Sequence, residues 1–107
     1  MICIVYNRKD HKITAKGHAN SAEKGCDLVC AAASVLIYTA AENVISLKEK
    51  GITRRVSLKL NEGDSEIVCI PKTQYEAGTD IILTAVCVGF DLLAKQYPDN
   101  VSFEIKN

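Results

Sequence analysis

The clearest two-residue period in the chain is at Val56, Leu58 and Leu60, which alternate with Ser57, Lys59 and Asn61, the signature of a strand with one dry and one wet face. NEGD follows as a turn, Ser65 to Ile70 reads as the returning strand, and Pro71 ends it. A second alternation, Val101, Phe103 and Ile105 against Ser102, Glu104 and Lys106, predicts a closing strand. Near the start, Ile2 to Tyr6 and Lys12 to Gly17 are β-rich segments around the turn-like NRKD and predict a hairpin with a loop longer than two residues. Two segments carry a helical period instead. From Asp27 to about Lys50, apolar positions recur at three and four through Leu28, Ala31, Val35, Leu36, Thr39, Val44 and Leu47, with Gly51 as the stop. Tyr75 to Tyr97 forms the second helix, ended by Pro98.

The order is therefore ββαββαβ, an α+β arrangement. One-sided strands and amphipathic helices combine most simply as a mostly antiparallel sheet with two long helices packed on one face. A length of 107 residues and a 48% apolar composition suit one core, so residues 1–107 are expected to form a single domain. The second helix carries Ile81, Ile82, Leu83, Val86, Val88, Phe90, Leu92 and Leu93 almost all round, more than one sheet contact covers. Pairing of two copies through the helices, a homodimer, is the expected remedy.

Thirteen basic and thirteen acidic residues cancel without long blocks of either sign. No broad cationic face is expected, which argues against direct nucleic-acid binding. MICIVYNRKD reads as an immediate strand rather than a signal peptide. The apolar run at 81–94 is shorter than the roughly 20 residues a bilayer span requires and contains Asp91, so it is expected to be a core helix rather than a membrane segment. Five scattered cysteines, Cys3, Cys26, Cys30, Cys69 and Cys87, fit a reducing cytoplasm better than a disulfide framework. Only Cys26 and Cys30 lie close together, without a second pair, so neither a metal nor another cofactor is expected.

The segment GHANSAEKGCDLVCAAAS, residues 17–34, holds the candidate chemistry. Asp27 stands where an N-cap belongs, which would place Cys30 third in the helix, among unpaired N–H groups that favour negative charge. That field is worth only about 0.3 to 1 kcal/mol, so a reactive thiol there needs a proton acceptor as well. His18, at the exit of the second strand and joined to the helix by the short segment 19–26, is the candidate acceptor. That segment is rich in small residues and is expected to move over a substrate. Each residue also has a plain structural reading: Cys30 as a small core side chain, Asp27 as a cap, His18 as a strand end. Ser34, one turn beyond Cys30, either lines a cleft or bonds back to the Cys30 carbonyl. Cys26 is either inert or traps the neighbouring sulfur on oxidation.

Gly17-His18-Ala19, Gly25, Asp27-Leu28-Val29-Cys30-Ala31-Ala32 and Ser34 together resemble the ribosomal-processing cysteine proteases called Prp, and the element order resembles that family over essentially the whole chain. The resemblance implies an endopeptidase that removes the N-terminal extension of large-subunit ribosomal protein twenty-seven during ribosome assembly. It implies Cys30 as nucleophile and His18 as general base, with Asp27 and Ser34 in or beside the active site. It also implies a mobile segment between His18 and Asp27, a homodimer, and a cleavage site that is extended, apolar and partly aromatic. Cys26 and the AAAS run depart from the commoner motif. Two other classes are a non-enzymatic ribosome-assembly interaction protein, which needs no reactive thiol, and a thiol-redox protein, for which Cys26 and Cys30 stand one residue too far apart to match C-x-x-C.

Overall fold

The computed structural model describes residues 1–18 and 26–107, except the side chains of Cys26 and Asp27. Strands β1 (Ile2–Asn7) and β2 (Lys12–Lys16) form the first hairpin, and α1 (Cys26–Glu49) follows. The second hairpin is β3 (Thr53–Asn61) with β4 (Asp64–Pro71), then a single 3-10 turn leads into α2 (Glu76–Gln96), and β5 (Val101–Lys106) closes the chain. The ββαββαβ order holds. The five strands make one sheet in the order β3-β4-β2-β1-β5, antiparallel throughout except for the parallel pairing of β1 with β5, in which Ile2 faces Val101 and Asn7 faces Lys106.

Strand alternation sorts the side chains. Ile2, Ile4 and Tyr6 of β1, Ile13 and Ala15 of β2, and Ile67 and Cys69 of β4 are buried beneath the helices, while Cys3 is exposed. Phe90 on α2 is fully buried, with its ring centroid 6.0 Å from that of Phe103 on β5. At one end of the sheet the Tyr6 hydroxyl donates to Asp80 at 2.6 Å and Arg8 Nε reaches the same carboxylate oxygen at 3.1 Å, tying β1 to the start of α2. The helices approach closely where Gly89 faces Leu36, since a methyl group at Gly89 would lie 2.5 Å from Leu36 Cδ2.

Two expectations about α1 need correction. Its buried stripe is Val29, Ala33, Ala40, Ala41, Val44 and Leu47, whereas Leu28 and Val35 are 69% and 64% exposed. The helix is apolar round most of its circumference, so periodicity supports two stripes, and the alanine-rich one allows the closer approach to the sheet. Asp27 is also already helical, because the helix includes Cys26, so it is not the cap. A cap must precede the first helical residue, and an aspartate is equally favourable inside the first turn.

The run 81–94 lies within α2, which agrees with the expected Tyr75–Tyr97 helix to within one residue at each end. Leu28–Glu49 and Thr73–Gln96 are long and apolar enough to cross a bilayer by length and composition. Each nevertheless buries a stripe in the common core, the packing of core helices.

Candidate active site

Where β2 ends, the backbone adopts a conformation that requires glycine. Gly17 has φ +100°, and a side chain there would collide with the Met1 carbonyl. Its N–H donates to the Gly63 carbonyl at 2.9 Å, which joins the end of β2 to the β3–β4 turn. This fixed exit delivers His18 to one end of the sheet. The turn itself has only Glu62 and Gly63 between the paired residues Asn61 and Asp64, and Gly63, at φ +72°, supplies the left-handed position.

Asp64 accepts from Lys16 on β2 and from Lys59 on β3, the latter at 2.6 Å, and so fastens the turn to both strands. The Lys16 and Lys59 ammonium groups hold its carboxyl down to about 2 from an ordinary 3.8. A depressed carboxylate stabilises the fold fully above its ordinary value, and that stabilisation is lost as pH falls towards about 2. Denaturant unfolding of the wild type and Asp64→Asn over a pH series should therefore show a stability gap that is constant near neutrality and closes between pH 4 and pH 2. A gap undiminished at the acid end would show that the two ion pairs carry no such linkage.

The α1 residues Cys30, Ala33, Ser34, Ile37 and Tyr38 recur at three and four and share one stripe of the helix. With His18, Gly17, Ile2 and Ala15 on one side and Leu60, Asn61, Glu62, Gly63 and Ser65 on the other, they enclose a cavity of about 290 Å³. His18 and Cys30 thus line one cleft. Ser34 lines it too, and among the described residues its hydroxyl makes no bond back to the helix, unlike Thr39, which donates to the Val35 carbonyl at 2.6 Å. Of the segment 19–26 expected to move over a substrate, residues 19–25 and the Cys26 side chain lie outside the described residues, as does the side chain of Asp27.

Cys30 sits one turn inside the helix, not third from its start, because α1 already includes Cys26. Its N–H is the helical donor to the Cys26 carbonyl and is not free to receive another charge. Among the other described cysteines, Cys3 is exposed and lines no part of this cavity. Cys69 and Cys87 are buried, and desolvation pushes the Cys69 thiol up and that of Cys87 to about 12 despite the lowering effect of Arg8. Both are core side chains, as apolar thiols generally are.

The hairpin wall of the cleft, from Leu60 to Ser65, escaped the sequence reading. Its local signal was the glycine in NEGD, which marks a turn but not what the turn faces.

The model of the family described as cysteine protease Prp matches residues 1–102. The chain belongs to that family. Membership makes it a cysteine protease, which removes the interaction-protein and thiol-redox readings as its primary class. The ribosomal processing cysteine protease Prp of Mycoplasma pneumoniae is 35% identical over 98 residues, spanning 88% of this chain and 86% of that protein. In fold, the chain matches the crystal structure of an essential ribosomal processing protease Prp from S. aureus in complex with a covalently linked product peptide. The TM-score is 0.74 at 24% identity, over 99% of this chain and all of that one. A complex of the S. aureus protease with a substrate peptide superposes equally well, at 22% identity. Those Prp structures share the five-stranded sheet and two helices.

Proposed function

We propose that this protease removes the N-terminal extension of large-subunit ribosomal protein twenty-seven, with Cys30 as nucleophile and His18 as general base. The observation that carries the reading is the shared cleft: in a chain of a cysteine protease family, one partly buried cysteine and one histidine line the same cavity. The M. pneumoniae relative is named for ribosomal processing, which supports the substrate class.

The Cys30 thiol gives its proton to the His18 imidazole, and the sulfur attacks the scissile carbonyl carbon. The imidazolium returns that proton to the leaving amine as the C–N bond breaks, leaving a thioester on Cys30. Water then attacks the thioester, His18 takes its proton, and the free acid and the thiol are restored. Ser34 and Asn61 are among the side-chain donors that line the cavity and can receive the tetrahedral oxyanion. Ile37, Tyr38 and Leu60 supply the apolar lining for an extended apolar segment. Asp27, in the first described turn of α1, supports the site through its charge near the helix start.

The exposed outer residues Ile81, Val88 and Leu92 of α2 and Leu28 and Val35 of α1 support a homodimer through the helices. Sedimentation over a concentration series that gave only the 11.7 kDa species would contradict it. The reading requires the cytoplasm, where thiols stay reduced and ribosomes are assembled. Incubation with the extended ribosomal precursor should yield two products whose masses sum to that of the precursor plus one water. Intact precursor alone, under conditions where the protein is folded, would overturn the substrate assignment.

A further inference from the structure

His18 reaches the cleft on an exposed stretch of backbone, and among the described residues no hydrogen bond fixes its ring. Catalysis depends on a restraint that places the imidazole relative to the thiol. The β3–β4 turn provides one. A methyl group built on Gly63 would lie 2.5 Å from His18 Cε1 and 3.2 Å from Cδ2, and would collide with Nε2. The ring therefore rests with its Nε2–Cε1 edge in the space that any other residue at position 63 would fill.

Neither backbone is free to back away. The Gly63 carbonyl accepts the Gly17 N–H at 2.9 Å, so the turn and the residue preceding His18 are joined directly. Asp64, the next residue, is fastened by Lys16 and Lys59. Gly17 is itself backed by the Met1 carbonyl. In a conflict between a new side chain at position 63 and His18, the part that yields is the imidazole, the far end of a rotatable side chain.

We infer that Gly63 is a positioning residue for His18: the absence of a side chain at the hairpin tip forms the slot that sets where the imidazole stands. This rests on the His18–Cys30 dyad proposed above. It assigns to the second hairpin a catalytic contribution made through shape rather than through a polar group.

The test compares Gly63→Ala, Gly63→Asn, Gly51→Ala and His18→Ala in steady-state cleavage of a precursor peptide, alongside thermal midpoints and the His18 imidazole NMR resonances. Gly51 has a similar left-handed φ of +74° with nothing within 4 Å of an added methyl group, so its substitution reports backbone strain alone. Gly51→Ala should keep the wild-type kcat and His18 resonances. Gly63→Ala should lower kcat by about 10- to 100-fold, leave KM within about twofold, and shift the His18 resonances. Asparagine tolerates the left-handed region better than alanine. Gly63→Asn should therefore recover thermal stability relative to Gly63→Ala without recovering kcat. Recovery of kcat together with stability in Gly63→Asn, or a wild-type kcat in Gly63→Ala, would overturn the assignment of Gly63. Full activity in His18→Ala would instead overturn the dyad itself, whatever the Gly63 variants do.

Discussion

Cys30→Ala is expected to lower kcat for a cleavable precursor peptide by about 10⁵-fold, because it removes the covalent route altogether and leaves only binding and cleft electrostatics. His18→Ala should cost less, about 10²- to 10⁴-fold, since the thiol remains and solvent can take its proton slowly. The double variant should be no worse than Cys30→Ala alone, because two groups acting on one proton transfer do not contribute additively. KM should stay near the wild-type value in all three, since the apolar cleft lining on α1 and β3 is untouched. Product masses and progress curves decide the matter. A folded Cys30→Ala protein that cleaved at the wild-type rate would place the nucleophile elsewhere.

Phe90→Ala should be the most damaging single core truncation. The ring is fully buried between α2 and β5, packed at 6.0 Å from Phe103, and its removal leaves a cavity that regular elements on both sides cannot collapse to fill. The expected loss is about 3 to 5 kcal/mol, a large share of the roughly 5 to 15 kcal/mol that holds a domain of this size together. In urea the unfolding midpoint should fall with little change in slope. Val88→Ala, on the same helix but 56% exposed, should cost under about 0.5 kcal/mol in dilute protein. Equal losses at the two positions would contradict the burial pattern on which the core assignment rests.

Local pattern carried far in this chain. The alternation in Val56–Leu60 and in Val101–Ile105 located two strands, the turn residues located both hairpins, and Gly51 and Pro98 bounded the helices, because each of these signals acts within a few residues. His18 and Cys30 were legible for the same reason: one short segment carries both, and the second strand and first helix bring its ends to one side of the sheet. What stayed hidden was relational. Nothing near Ile2 or Val101 encodes their parallel pairing, and nothing in NEGD points at residue 18. The inward stripe of α1 was misread because Leu28 and Val35 outrank Val29 and Ala33 in bulk, whereas the sheet and the second helix select for small residues at close approach. The start of α1 moved because an aspartate suits both a cap and a first turn.

The parallel pairing of β1 with β5 has a bearing on how the molecule comes into being. β1 occupies an interior position in the sheet, yet its outer neighbour is β5, the described strand most distant from it in sequence, and the Ile2 N–H donates to the carbonyl of Asn100. Loop closure on that scale is entropically slow. A nascent chain leaving the ribosome can form its two hairpins early, but β1 stays half-paired until β5 has emerged. The wall of the cleft that Ile2 lines is thereby completed only once β5 has paired with β1.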